Sequence, residues 1–210
     1  MLHAPNESIG YRLRRALIIA MRMLHDRGLV NLRGGNASAL LLLEDGSAFI
    51  YITPAGKPKA MLEPEDVSVL DIDGHVYSGK PSSEYRMHLA IYRKRRDVRA
   101  VVHAHNPLAV LAAKLKLDLG ANMLGVEQRY YIGSCIPHVP YAEPGTEDIA
   151  EAAAEALSSC NVALLEDHGA VALGTSPDPV EAVYEAVDRL EVLEDVARAA
   201  LLSALLHARR

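Results

Sequence analysis

The sequence predicts one α/β domain in which helices pack around a largely antiparallel sheet. Three observations predict it. Apolar residues recur at helical spacing near both ends of the chain, two turn-rich breaks join short apolar runs as hairpins, and no linker, repeat or shift in composition divides the 210 residues.

From Ile9 to Asp26 the residues Ile9, Leu13, Leu17, Ala20, Met21 and Leu24 recur three and four apart, the spacing of one buried helix face, and the helix ends near Gly28. The runs Ala39 to Leu43 and Phe49 to Ile52 flank Glu44-Asp45-Gly46-Ser47, turn chemistry that favours an antiparallel hairpin over a long crossover. A second pair, Val67 to Ile72 and His75 to Ser78, is joined across Asp73-Gly74, so the sheet grows by meander. Ser82-Ser83-Glu84 opens a helix that runs up to Arg93-Lys94-Arg95-Arg96. These cations complement the negative end of the helix dipole and read as a solvated helix end rather than a ligand patch. Val98 to His105 reads as a strand, Pro107 to Lys116 as a short helix and Tyr130 to Pro137 as one or two strands around Gly133. Glu147 to Leu157 is an Ala-rich helix with Thr146 as its N-cap. Val162 to Leu165 and Ala170 to Leu173 lie either side of Glu166-Asp167-His168-Gly169, and Pro179 to Leu206 is a long final helix.

The composition, 50% hydrophobic and 23% charged, suits a chain with a sizeable core and excludes disorder. A net charge of −5 provides no basic footprint, so neither nucleic acid nor an anionic membrane is an expected partner. Apolar stretches such as Ala16 to Met21 fall far short of the ~20 residues that span a bilayer. The opening Met1-Leu2-His3-Ala4-Pro5-Asn6-Glu7 lacks a secretory pattern. Two cysteines, Cys135 and Cys160, cannot build a disulfide framework or a multi-cysteine zinc site; they read as small buried apolar residues, and a reducing cytoplasm is the expected compartment.

Chemistry enters with His103-Ala104-His105. At a strand end, residues two apart share a face, so both imidazoles project together, although paired histidines can equally be hydrogen-bonded structural residues. His168, in a turn between two apolar strands, is a candidate third ligand for such a pair, and Glu84 a fourth. Ser82 and Ser83 at a helix start either bind an anion or simply cap the helix. Gly34-Gly35-Asn36 and Thr53-Pro54-Ala55-Gly56 are turns whose backbone N–H groups can gather round an anion, and hairpin chemistry explains them equally well. His88 follows Glu84 by one helical turn and is assigned a structural or supporting role.

Gly35-Asn36-Ala37-Ser38, Ile52-Thr53-Pro54-Ala55-Gly56, Pro81-Ser82-Ser83-Glu84, Val102-His103-Ala104-His105, Pro140-Tyr141-Ala142 with Gly145-Thr146, and Asp167-His168-Gly169 occur in that order. Together they resemble the class II aldolase and adducin head family over nearly the whole chain. The resemblance implies α/β/α layers around a mostly antiparallel central sheet, assembled as a cyclic homotetramer with active sites at subunit interfaces. It implies a lyase that reversibly cleaves a ketose 1-phosphate of the L-fuculose 1-phosphate type to dihydroxyacetone phosphate and an aldehyde, through a metal-stabilised enediolate.

Carried onto this sequence, the resemblance makes His103, His105 and His168 ligands of one Zn2+ per subunit, with another divalent metal as the alternative. Glu84 is the fourth ligand at rest and is released by substrate to move a proton at C3. The substrate phosphate lies among Gly35, Asn36, Ala55, Gly56, Ser82 and Ser83. Two departures stand out. Ala55 occupies a position where the bacterial aldolase carries threonine, so the amide of Gly56 or Lys57 replaces a hydroxyl contact. Val126 stands where the family lends a tyrosine acid/base from the neighbouring subunit; Tyr130 or Tyr131 substitutes for it, or both are strand residues packed in the sheet. The same scaffold serves a sugar-phosphate 4-epimerase, which carries aspartate where Glu84 stands, and also a dehydratase or a decarboxylase. A non-catalytic adducin-head-like module would have lost the residues His103, His105, His168 and Glu84 that are retained here.

Overall fold

Helix α1 (Ile9–Asp26) leads into strands β1 (Asn36–Leu42), β2 (Ala48–Ile52), β3 (Ser68–Asp71) and β4 (Val76–Ser78), followed by α2 (Tyr85–Lys94), β5 (Ala100–Ala104) and α3 (Pro107–Lys114). The chain continues through β6 (His138–Val139), α4 (Glu147–Ala156), β7 (Val162–Leu165), β8 (Gly169–Gly174) and α5 (Pro179–His207). These elements come from a computed structural model that describes residues 8–120 and 125–207. The strands form one sheet in the order β4-β3-β2-β1-β5-β8-β7-β6, antiparallel except where β6 runs parallel to β7. Both hairpins pair as the turn chemistry requires, with Leu40 opposite Ile50 and Leu70 opposite Val76.

Helices cover both faces, which gives the three layers. The buried stripe of α1, including Leu13, Leu17, Met21 and Leu24, packs with α3 and α5 against Ala37, Ala39, Val102 and Ala104. The opposite face carries Leu40, Val101, Val171 and Leu173 under α2 and α4. Because side chains alternate along a strand, Asn36 and Ser38 share the α2 side with Leu40, and His103 shares it with Val101. That alternation decides where the polar residues meet.

Four expectations change. Tyr130 to Pro137 holds no strand: Gln128–Ile132 is a single π-helical turn, closed by the N–H of Gly133 on the carbonyl of Gln128 at 2.7 Å, and the next strand begins at His138. Its aromatic, strand-like composition is overridden by tertiary bonds, Arg189 Nε to the carbonyl of Tyr131 at 3.0 Å and Gln128 Nε2 to that of Leu119 at 2.6 Å. Cys135 and Cys160 are not separate buried residues; they are joined as a disulfide, with Cα atoms 5.5 Å apart. Parallel pairing of His138 with Leu164 keeps the segments leading into β6 and β7 side by side, and the two cysteines lie in those segments. Thr146 stands at the N-cap of α4, but its hydroxyl donates to the carbonyl of Glu143 at 2.7 Å instead of capping. The basic run after α2 is more than a solvated end, since Arg95 donates to the carbonyls of Leu157 and Cys160 and Lys94 pairs with Glu155.

Candidate metal centre and anion cradle

His103 is the penultimate residue of β5, His105 lies just past its end, and the tight turn between β7 and β8 delivers His168 to the same place. One ligand atom from each lies within 4.8 Å of the others. Crowded backbone supports this convergence. Asn106 and Asp167, the neighbours of His105 and His168, have φ of 26° and 53°, conformations that non-glycine residues adopt only when their surroundings impose them. Gly169 lies against the backbone of Ala104 and His105, where any side chain would collide.

Glu84 completes the group. It immediately precedes α2, and its Oε2 and Oε1 lie 3.5 Å from His103 Nε2 and 3.7 Å from His168 Nε2. Donors held 2.0–2.1 Å from a tetrahedral ion are separated by about 3.3 Å, so these spacings suit one small cation between them. His103 Nδ1 donates to the carbonyl of Ala170 at 3.0 Å, which turns an unprotonated Nε2 toward Glu84. His103 Nε2 and Glu84 Oε1 are buried and have no hydrogen-bond partner among the described residues. Orphaned acceptors facing one another need a cation, and these residues therefore fit a metal ion of the zinc type.

Electrostatics agree. Burial lowers His103 to about 4 against the opposing pull of Glu84, so its imidazole is neutral and available as a ligand near neutral pH. Burial pushes Glu84 upward, but the neighbouring imidazoles of His103 and His168 and the hydrogen bond from the Asn36 amide outweigh it and hold the carboxyl below its ordinary range. Burial, followed by the charge of His168, also lowers His105.

The three turns expected to hold an anion are brought together by backbone bonds. Thr53 N–H meets the carbonyl of Ala37 at 3.0 Å, Ser82 N–H that of Thr53 at 3.1 Å and Ala55 N–H that of Lys80 at 3.3 Å. Gly35, Asn36, Ala55, Gly56, Ser82 and Ser83 therefore belong to adjoining segments. Within that group, Asn36 is turned to Glu84 and His88. Lys57 is paired with Asp66. The cation that the sequence reading overlooked is Lys59, 2% exposed, whose ammonium donates to the carbonyl of Pro54. Burial lowers it to about 8, with Glu84 opposing. A lysine spaced two residues from another in a loop carries no periodic signal, which is why it was missed. Tyr130 and Tyr131 lie on the π-helical turn, 82% and 38% exposed, and Val126 is 81% exposed. Among the described residues, no hydrogen bond or ring contact joins either tyrosine to Glu84 or the histidines.

A family model for the class II aldolase and adducin N-terminal domain matches residues 15–201. An L-fuculose phosphate aldolase of Methanocaldococcus jannaschii is 33% identical over 192 residues, covering 91% of this chain and 97% of that protein. A 3-oxo-tetronate 4-phosphate decarboxylase of Escherichia coli is 34% identical over 82% of this chain and 78% of its own length. The crystal structure of an L-fuculose-1-phosphate aldolase from Thermus thermophilus superimposes with a TM-score of 0.79 at 30% identity, covering 94% of this chain and 96% of that one.

Proposed function

The chain belongs to the class II aldolase and adducin N-terminal domain family and is an aldolase-type lyase, and on that premise we propose that it cleaves a ketose 1-phosphate to dihydroxyacetone phosphate and an aldehyde with a bound zinc ion. The observation that carries the reading is the buried Glu84 carboxylate set against His103 and His168 of three convergent imidazoles, its Oε1 without a hydrogen-bond partner among the described residues. His103, His105 and His168 would hold the ion, with Glu84 as a fourth ligand at rest. When bound, it supplies Lewis-acid stabilisation of the negative charge that develops as the C3–C4 bond breaks.

The protein's own residues do the rest. Glu84 moves the proton at C3, and its burial beside the histidines keeps that carboxylate away from bulk water. The amides of Gly35 and Gly56 and the hydroxyls of Ser82 and Ser83 hold the phosphate, and Lys59 beneath Pro54 adds the positive charge that such a guest requires. Among the described residues no hydrogen bond joins a tyrosine directly to Glu84 or the three histidines, and the family resemblance assigns the acid at the C4 oxygen to a tyrosine of a neighbouring subunit in a homotetramer, here Tyr130 or Tyr131. Their exposure supports that role, as do the exposed leucines Leu111 on α3, Leu115 just after it, and Leu202 and Leu205 at the end of α5. The described helices include none long and apolar enough to cross a membrane.

Release of dihydroxyacetone phosphate from L-fuculose 1-phosphate, followed through a coupled reductase, tests the reaction. Release that disappears in Glu84→Gln supports it. Evolution of CO2 from a 3-oxo-acid phosphate, with no cleavage of the ketose, would assign the decarboxylase reaction of the E. coli relative instead.

A further inference from the structure

We propose that His88 is a positioning residue for Glu84, acting through Asn36, and that the buried hydrogen-bond chain it anchors makes Oε1 the oxygen with which Glu84 reacts. This rests on the reading of Glu84 as the base at C3.

The chain follows from two matched periodicities. Four residues along an α-helix advance about 6 Å, and two residues along a strand advance about 6.6 Å. Glu84, His88 and Tyr92 form one stripe of α2 and its N-cap, while Asn36 and Ser38 form one row of β1. The two rows interlock as a zigzag. Asn36 Nδ2 lies 2.8 Å from Glu84 Oε2, Asn36 Oδ1 lies 2.5 Å from His88 Nε2, His88 Nδ1 lies 2.7 Å from Ser38 Oγ, and Ser38 Oγ lies 2.8 Å from the hydroxyl of Tyr92.

Chemistry fixes the direction of every bond. An ionised carboxylate only accepts, so Asn36 presents its NH2 to Glu84 and its carbonyl to His88. That carbonyl requires a proton on His88 Nε2. Neutral His88 then accepts at Nδ1 from the Ser38 hydroxyl, which in turn accepts from Tyr92. All donors point toward Glu84, so no link can take a proton from it. The array is a clamp and not a proton conduit.

Burial makes the clamp rigid. His88 and Ser38 are 0% exposed, Tyr92 1% and Asn36 2%, surrounded by Met87, Leu89, Ile91 and Val101, so any broken link leaves an unpaired polar group in an apolar layer. Burial also holds His88 well down, at about 3, and so in its neutral form. The consequence reaches the carboxylate. Oε2 is tied to Asn36 by a hydrogen bond and lies 3.5 Å from His103 Nε2, whereas Oε1 has no hydrogen-bond partner among the described residues and stands 3.7 Å from His168 Nε2. The two oxygens thus have separate duties, one held and one presented.

The test compares wild type with His88→Leu, His88→Gln and Tyr92→Phe as metal-loaded proteins. It measures metal content, KM for dihydroxyacetone phosphate, and kcat for exchange of its hydroxymethyl hydrogen with deuterium oxide. Glutamine can donate to Asn36 and accept from Ser38, so it serves as the conservative replacement. The expected result is a ten- to hundredfold fall in kcat for His88→Leu with metal content and KM little changed, a smaller fall for Tyr92→Phe, and recovery of most of the loss in His88→Gln. An unchanged kcat in His88→Leu overturns the proposal, as does a loss that glutamine fails to recover or that tracks metal content. Nitrogen-15 NMR of the wild-type imidazole gives a readout that does not depend on the reaction. An Nε2–H tautomer with Nδ1 accepting is expected, and an Nδ1–H tautomer overturns the clamp. A wild type that exchanges no hydrogen but shows the Nε2–H tautomer removes the proposed reaction and leaves the clamp standing.

Discussion

Gly34 lies so close to His105 that a Cβ built on it would come within 2.5 Å of the ring's Cε1 and 2.8 Å of its Nδ1. The glycine is therefore the floor on which the second ligand rests. Gly34→Ala should turn the imidazole out of the cluster and weaken metal binding roughly 10- to 100-fold, with little change in the fold. Metal affinity by chelator competition, alongside circular dichroism, checks this; full metal occupancy in Gly34→Ala would show that His105 has room to spare.

Lys59 supplies the buried positive charge nearest the turn that the phosphate is proposed to meet. Lys59→Met keeps the length of the side chain and removes the charge. We expect KM for a phosphorylated substrate to rise at least about tenfold, the cost of a lost charge-assisted bond of roughly 1.5–3 kcal/mol, with metal content unchanged. An unaltered KM would confine Lys59 to bracing the Pro54 turn.

Acid should destabilise the metal-free protein well before ordinary carboxylates titrate. His88 and His103 are held at about 3 and about 4 in the folded chain, against 6.5 when exposed, in both cases chiefly by burial. Between those values the unfolded state binds more protons than the folded one, so stability is fully present above pH 6.5 and declines as pH falls. The loss is on the order of 2 kcal/mol per imidazole from pH 6.5 to pH 5. Glu84, held below its ordinary range, extends the loss at lower pH. Urea denaturation of the chelator-treated protein at pH 7, 6 and 5 measures the slope; a flat profile would mean that both rings titrate in the fold as they do in the unfolded chain.

The disulfide between Cys135 and Cys160 closes a loop of sequence separation 25 and ties the approach to β6 to that of β7. Cross-linking a loop of this size stabilises a fold by about 3 kcal/mol. Cys160→Ser or reduction should lower the unfolding free energy by that order, and the midpoint under oxidising conditions should exceed that with reductant. Free thiols titrating in the untreated native protein would contradict the bridge.

Much of the site was legible because it rests on local periodicity. His103 and His105, two apart at a strand end, had to share a face, and His168 in its glycine turn was recognisable from its neighbours. The hairpins at Gly46 and Gly74 were equally explicit. What stayed hidden depends on packing between distant segments. Asn36 read as an anion ligand because nothing in its own stretch reveals that α2 lies above it; the meeting of Asn36 with Glu84 needs the register of β1 against β5 and the rotation of a helix. The cysteine pair needs the parallel register of β6 and β7. The π-helical turn is held by Arg189, a residue of α5 far along the sequence, so its strand-like composition misleads.

In the proposed reaction Glu84, beside a metal held by His103, His105 and His168, moves a proton at the carbon next to the carbonyl. Exchange of the hydroxymethyl hydrogen of dihydroxyacetone phosphate with deuterium oxide, followed by proton NMR, tests that step without any choice of aldehyde. Stereospecific loss of one hydrogen signal is expected with zinc-loaded protein, abolished by chelator and by Glu84→Gln. Persistence of exchange in Glu84→Gln, or its absence from zinc-loaded wild type, would contradict it.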